Sequence, residues 1–204
     1  MKLGIVDLDT GNLASLLSAL NKLNINFKIC KNSFDFEDVD KIILPGVGAF
    51  KDLMKKIKEK NMDKTILAKI GKNVPILGVC VGFQILFSGS NEHGDCSGLN
   101  LIKGNFINFK DENKKIKVPH VGWNECKILN KNKLFQDIED NSDFYFTHSY
   151  YLKNYNIKNV VTKTMYNLNF VSSINKKNIY GVQFHPEKSQ LNGLKIIKNF
   201  YERC

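Results

Sequence analysis

Apolar residues along this chain follow two rhythms that change places near its middle. In the first half, short continuous runs alternate with runs spaced by three and four. Leu3-Gly4-Ile5-Val6, Phe27 to Cys30, Lys41-Ile42-Ile43-Leu44 and Pro75-Ile76-Leu77-Gly78-Val79 read as strands. Between them, Leu13, Leu16, Leu17, Leu20 and Leu23 make one helical face, opened by Gly11-Asn12. Phe50, Leu53, Met54 and Ile57 make a second, Ile66 to Ile70 belongs to a third, and Gly82 to Phe87 is expected to be helical. Such βα alternation predicts an α/β fold of three layers, with a mostly parallel central sheet and helices on both faces.

The second half is richer in strands. Phe106 to Phe109, Ile116 to Val118, Phe144 to Thr147, Val160 to Thr164, Phe170 to Ile174 and Ile179 to Phe184 are candidates. Leu194, Ile197, Phe200 and Tyr201 suggest a closing helix. No linker-like, repetitive or low-complexity segment interrupts the pattern, so residues 1–204 are expected to form a single domain.

Composition changes this picture little. The chain is 43% hydrophobic and 25% charged, as globular proteins are. No apolar run approaches the roughly 20 residues that span a bilayer, and Met1 to Asp7 turns charged too early for a signal peptide. A cytoplasmic protein with no membrane partner is expected. The net charge of +10 raises nucleic acid as a partner. Yet Arg203 is the only arginine, and asparagine occurs 25 times. Arginine is the favoured residue for bidentate phosphate and guanine contacts. The charge therefore reads as a solvated lysine surface with no nucleic-acid partner, an anionic partner being the other reading.

Five cysteines, at 30, 80, 96, 126 and 204, include no Cys-x-x-Cys pair and read as thiols. Cys96 falls in a polar loop, and Cys126 in a half-buried strand. Four scattered histidines lack ligand spacing, and His93-x-x-Cys96 is a weak pair, so neither metal nor cofactor is expected.

Cys80 differs. In Gly78-Val79-Cys80-Val81-Gly82 a strand enters a helix through a Gly-x-Cys-x-Gly turn, which is similar to the elbow that presents a nucleophile above a sheet. A helix N-terminus there favours the thiolate. The alternative is a buried structural cysteine. In Gln183-Phe184-His185-Pro186-Glu187, an extended chain puts His185 and Glu187 on one side, so Glu187 can orient an imidazole that exchanges a proton with Cys80. The alternative is a surface histidine in a turn. Leu44-Pro45-Gly46-Val47-Gly48-Ala49-Phe50 ends a third strand. Lys51 stands where a dinucleotide fingerprint needs its last glycine, so the better reading is a loop offering an N–H, from Val47 or Gly48, to an oxyanion hole shared with Val81.

These motifs together resemble the class I glutamine amidotransferase family. Asp7-Leu8-Asp9-Thr10-Gly11-Asn12, Pro119-His120-Val121-Gly122-Trp123-Asn124 and Phe146-Thr147-His148-Ser149-Tyr150 occur in order with them. The set is similar, over essentially the whole chain, to the glutaminase subunits of imidazole glycerol phosphate synthases. The resemblance implies catalysis by Cys80, His185 and Glu187. It implies that L-glutamine is held by Gln84, Glu92, Ser149 and Tyr150. The segment Ser88 to Gly94 departs from the family's usual glutamate-rich loop, which leaves a solvated carboxylate as the alternative for Glu92. The resemblance also implies a heterodimer with a (βα)8-barrel synthase, contacted through Asn12, Pro119, Trp123 and Lys188. Trp123, the only tryptophan, is either an interface anchor or a core aromatic. His120 and His148 read as scaffold or gate residues.

Three functions compete at this point. One is ammonia supply for histidine biosynthesis. A second is the same chemistry in a paralogue that feeds a barrel amidating a cell-surface or flagellar sugar; Lys188-Ser189-Gln190 and Asp143-Phe144-Tyr145-Phe146 resemble such paralogues. The third is a cysteine peptidase-like hydrolase or a non-catalytic module on the same fold. Serine hydrolase chemistry lacks a Gly-x-Ser-x-Gly, and no Walker loop occurs.

Overall fold

A computed structural model describes residues 1–9 and 13–204. Gly11-Asn12, expected to open the first helix, and the interface candidate Asn12 lie outside the described residues. The apolar runs of the first half form β1 (Leu3–Val6), β2 (Phe27–Cys30), β3 (Lys41–Leu44) and β4 (Ile76–Val79). Every residue of β1, β3 and β4 is buried. Successive side chains of a strand point to opposite faces, so both faces of the sheet are covered there. The helical patterns form α1 (Leu13–Lys22), α2 (Phe50–Glu59), α3 (Met62–Gly71) and, near the end, α5 (Gln190–Arg203).

The second half supplies β8 (His120–Ile128), β9 (Ser142–His148), β11 (Val160–Tyr166), β12 (Leu168–Lys176) and β13 (Ile179–Val182). These strands extend the first sheet rather than building a separate one. The order is β2-β1-β3-β4-β13-β12-β11-β8-β9. Pairing is parallel from β2 through β13 and antiparallel from β13 to β9. The sheet is thus parallel in the half that carries the βα units and mixed as a whole.

A second sheet, β10-β7-β5-β6, joins β10 (Tyr150–Lys153), β7 (Ile102–Asn108), β5 (Phe87–Ser90) and β6 (Cys96–Ser97). Phe83, Phe87 and Phe106 meet edge to face beside it, with centroids 5.2–5.5 Å apart. The chain passes from the edge of one sheet to the edge of the other at Ser149, between β9 and β10.

Four expectations need correction. The helix expected over Gly82 to Phe87 is a single turn, α4 (Val81–Gln84), and Phe87 already belongs to β5. Ile116 to Val118 is an irregular bend that follows a turn at residues 114–115, not a strand. Ile116 is the one buried side chain in a lysine-rich stretch, and the bend buries it without needing strand partners. Cys96 lies in the short strand β6, and Cys126 is fully buried on β8. Among the described residues, no helix is long and apolar enough to cross a membrane, and no group of His, Cys, Asp and Glu side chains is arranged to hold a metal.

Candidate active site

β3, β4 and β13 are neighbours in the parallel part of the sheet, and the segments at their C-terminal ends converge. In open α/β sheets the crevice outside those ends is where ligands bind. The β3 end carries the Pro45–Ala49 loop, the β4 end carries Cys80, and the chain beyond β13 carries His185.

Cys80 occupies φ 54°, ψ −112°, an unusual conformation for a residue with a side chain. It turns the chain from β4 into α4. The flanking glycines let the two loops touch. A Cβ on Gly82 would stand 1.9 Å from the Leu44 carbonyl oxygen, and one on Gly46 would stand 2.4 Å from the Gly82 nitrogen. Because α4 is one turn long, Cys80 at its start has no long aligned helix dipole behind it.

His185 is held by its backbone. Its N–H donates to the Tyr145 carbonyl at 2.8 Å, and its carbonyl accepts from the Ser189 hydroxyl at 2.6 Å. The link to Glu187 runs through a 3-10 turn, Pro186–Lys188, rather than through the extended strand expected. The two side chains still meet, with His185 Nδ1 2.7 Å from Glu187 Oε1. Both are buried, with 2% and 6% of their side chains exposed. His185 Nε2 has no hydrogen-bond partner among the described residues. Burial alone would lower the imidazole pKa. Cys80 and Glu187 outweigh it and raise the pKa to about 10. The site thus favours imidazolium beside the sulfur.

A cleft of about 300 Å³ opens over Cys80 and His185. Val47, Gly48, Val81, Gln84, Glu92, Pro119, Ser149 and Tyr150 line it, together with Thr147 and His148. One wall rests on a chain of neutral histidines. His148 Nδ1 lies 2.8 Å from the Tyr150 carbonyl and must donate to it. Its Nε2 then accepts from His120 Nδ1 at 3.0 Å, and His120 Nε2 accepts from the Asn124 amide at 3.2 Å. Burial pushes His148 down to about 3 and His120 down to about 4, consistent with uncharged rings.

Two expected roles meet complications. The Val81 N–H, expected to be an oxyanion donor, donates instead to the Gly46 carbonyl at 3.3 Å. In a planar trans peptide the Val47 N–H then points the opposite way. The hole is not assembled in this conformation. Glu92 lines the cleft, but its Oε2 already accepts the Phe50 N–H at 2.7 Å, at the start of α2.

Trp123 is 47% exposed, which excludes the core reading. It meets Tyr145 edge-on at 6.0 Å, and Lys188 Nζ stands 5.7 Å from the same tyrosine ring. Val121 and Leu191 are exposed nearby in sequence or space; Leu191 shares a surface hollow with Trp123.

Gln183 carries no role in the sequence reading. It is buried between Cys80 and Gln84. The available signal was an amide inside the continuous apolar run from Ile179 to Phe184.

The family described as glutamine amidotransferase class-I matches residues 5–204. "Imidazole glycerol phosphate synthase subunit HisH" of Methanocaldococcus jannaschii is 46% identical over 200 residues, covering 98% of each chain. "Imidazole glycerol phosphate synthase subunit HisH 1" of Campylobacter jejuni strain 81-176 is 42% identical over 200 residues, covering 97% of this chain and 98% of that one. Among solved structures, "Structure of PurLQS from Thermotoga maritima" superposes with a TM-score of 0.77 at 18% identity, over 98% of this chain and 97% of that chain. That likeness concerns the fold alone. On the strength of the family match and the full-length relatives, this chain belongs to the class I glutamine amidotransferases.

Proposed function

We propose that the chain is the glutaminase subunit of an imidazole glycerol phosphate synthase. It hydrolyses L-glutamine to glutamate and passes the ammonia to a (βα)8-barrel subunit in histidine biosynthesis. The observation that carries this reading is the convergence of Cys80, His185 and the four substrate candidates on one cleft, in a chain 40–46% identical along its length to such subunits.

Cys80 Sγ attacks the side-chain amide carbon of glutamine. The carbonyl oxygen becomes an oxyanion, and the departing nitrogen takes a proton from His185 Nε2. Water then gives a proton to His185 Nε2 as its oxygen attacks the thioester carbon, and the C–S bond breaks to release glutamate and restore the Cys80 thiolate. Glu187 keeps the ring oriented and offsets its charge. Gln84, Glu92, Ser149 and Tyr150 hold the amino-acid end of glutamine. Rotation of the Gly46–Val47 peptide frees the Val81 N–H and swings the Val47 N–H toward the oxyanion, with Gly48 beside it.

The exposed Trp123, with Pro119 and Lys188, fits the barrel-facing surface. The acceptor of the ammonia is decided on the barrel, and the printed names of the relatives favour the histidine acceptor over a sugar. The test is glutamate and ammonia release by the purified chain, alone and with each candidate barrel. Stimulation by the histidine-pathway barrel supports the reading, stimulation only by a sugar-amidating barrel supports the paralogue, and no hydrolysis with either returns the chain to the peptidase-like or non-catalytic class.

A further inference from the structure

Glutamine hydrolysis by Cys80, His185 and Glu187 leaves one buried amide beside the sulfur without a task. Gln183 is wholly buried, and its neighbours Val182 and Phe184 are equally buried apolar side chains. Its main-chain N–H is occupied by the Ser172 carbonyl at 2.9 Å. Its side chain faces two groups of the cleft. Nε2 lies 3.8 Å from Cys80 Sγ, within reach of an N–H···S bond, and Oε1 accepts from Gln84 Nε2 at 3.0 Å. Burying a primary amide is costly unless its polar atoms are used, and a methionine or leucine would fill the same space without that cost.

We propose that Gln183 is a catalytic residue of the glutaminase reaction: its side-chain N–H donates to the Cys80 sulfur and stabilises the thiolate, while its carbonyl oxygen fixes the amide of Gln84 in the substrate cleft. The inference rests on the reading of Cys80 as the glutaminase nucleophile. The polarity of the chain supports it. A thiolate can only accept, so the Gln183 amide must turn its nitrogen toward sulfur. Its oxygen then faces Gln84, which must answer with a nitrogen.

The other groups on the sulfur point the same way. The Thr147 carbonyl, 3.8 Å from Sγ, is an acceptor and favours the protonated thiol. Gln183 is a neutral donor that opposes it, and unlike His185 it never gives up its proton during the reaction. The bond is strong when sulfur is anionic and weak when sulfur is acylated, because a charged acceptor takes the stronger hydrogen bond. Gln183 therefore assists twice. It raises the thiolate population before attack, and it stabilises sulfur as the leaving group when water breaks the C–S bond of the thioester.

The test is the pH profile of Cys80 alkylation by iodoacetamide in the full chain, read by peptide mass spectrometry, for the parent, Gln183→Met and Gln84→Met. Burial pushes Cys30 and Cys126 up to about 11, so they serve as slow internal references. The expected result is a midpoint raised by about one pH unit in Gln183→Met, the size of one lost hydrogen bond to a charged group. Gln84→Met should keep the parent midpoint, because it leaves the sulfur's donor in place, and should raise KM for glutamine. A folded Gln183→Met protein with the parent's midpoint overturns the inference. Should Gln183→Met fail to fold, Gln183→Glu has the same shape, and its carboxylate should raise the midpoint further; a midpoint at or below the parent's overturns the inference equally. A parent chain that hydrolyses no glutamine, with or without a barrel, overturns the underlying reading as well, whereas an active parent with an unmoved Gln183→Met profile overturns this inference alone.

Discussion

The occupied Val81 N–H makes a quantitative prediction about the isolated chain. Saturating it with a ligand-loaded barrel partner is the perturbation. In the free chain one donor is bonded to the Gly46 carbonyl at 3.3 Å, and the other, on Val47, belongs to the same rotated peptide. Loss of one oxyanion donor typically costs about 10²–10³ in kcat. The bond that blocks the hole is long, and a neutral hydrogen bond is worth only about 0.5–1.5 kcal/mol net. A docked partner need therefore supply little to release it, and can gain about 3–4 kcal/mol of transition-state stabilisation by doing so. The expected stimulation is at least about 10²-fold. It should fall on kcat, because the oxyanion exists only beyond the ground state, with KM for glutamine little changed. The assay is steady-state glutamate release against barrel concentration at saturating glutamine. Equal kcat values for the free and complexed chain would refute the reasoning, as would stimulation confined to KM. Because two separate sites are coupled, the effect is allosteric.

Other consequences are narrower. His185→Ala should lower kcat by about 10²–10⁴-fold through loss of the proton carrier. Glu187→Gln should lower it less, because an amide still contacts Nδ1 but does not stabilise the imidazolium; steady-state rates in the opposite order would reject these roles. Trp123→Ala should weaken barrel association by about 2 kcal/mol, as truncating an aromatic hot spot does, while changing thermal stability little; equilibrium binding and melting curves recorded in parallel check this, and unchanged affinity would count against the surface. Acid should destabilise the fold through His148. Its folded pKa, lowered to about 3, lies below the ordinary 6.5. As pH falls below 6.5 the unfolded chain takes up a proton that the folded chain refuses, so stability present above pH 6.5 declines by about 1.4 kcal/mol per pH unit until about pH 3. His120 adds to the decline in the same direction. Urea midpoints between pH 7 and pH 4 measure it, and a flat profile in the parent would contradict neutral, buried histidines.

The parts of the fold legible in the sequence were those with a strong period. Phe50, Leu53, Met54 and Ile57 lie on α2 and are all buried, and the apolar tetrads became the parallel strands. β5 was hidden because three of the four residues in Phe87-Ser88-Gly89-Ser90 are small or polar, and its place is set by pairing with β7 and β6 rather than by propensity. The candidate site was legible where chemistry and turn residues coincide, as at Cys80 between its glycines. Two features were not. The bond between Val81 and Gly46 depends on the rotation of a single peptide, which leaves no trace in residue identity. The contact of Gln183 with sulfur joins segments 103 residues apart.

The central claim is that Cys80 carries the glutamyl group during turnover. The direct measurement is acid-quenched peptide mass spectrometry of the chain mixed with glutamine and its barrel partner. The account predicts a glutamyl thioester on the Cys80 peptide, absent from Cys80→Ala. Glutamine hydrolysis at the parent's rate by a folded Cys80→Ala protein, or an adduct on any other cysteine in its place, would contradict it.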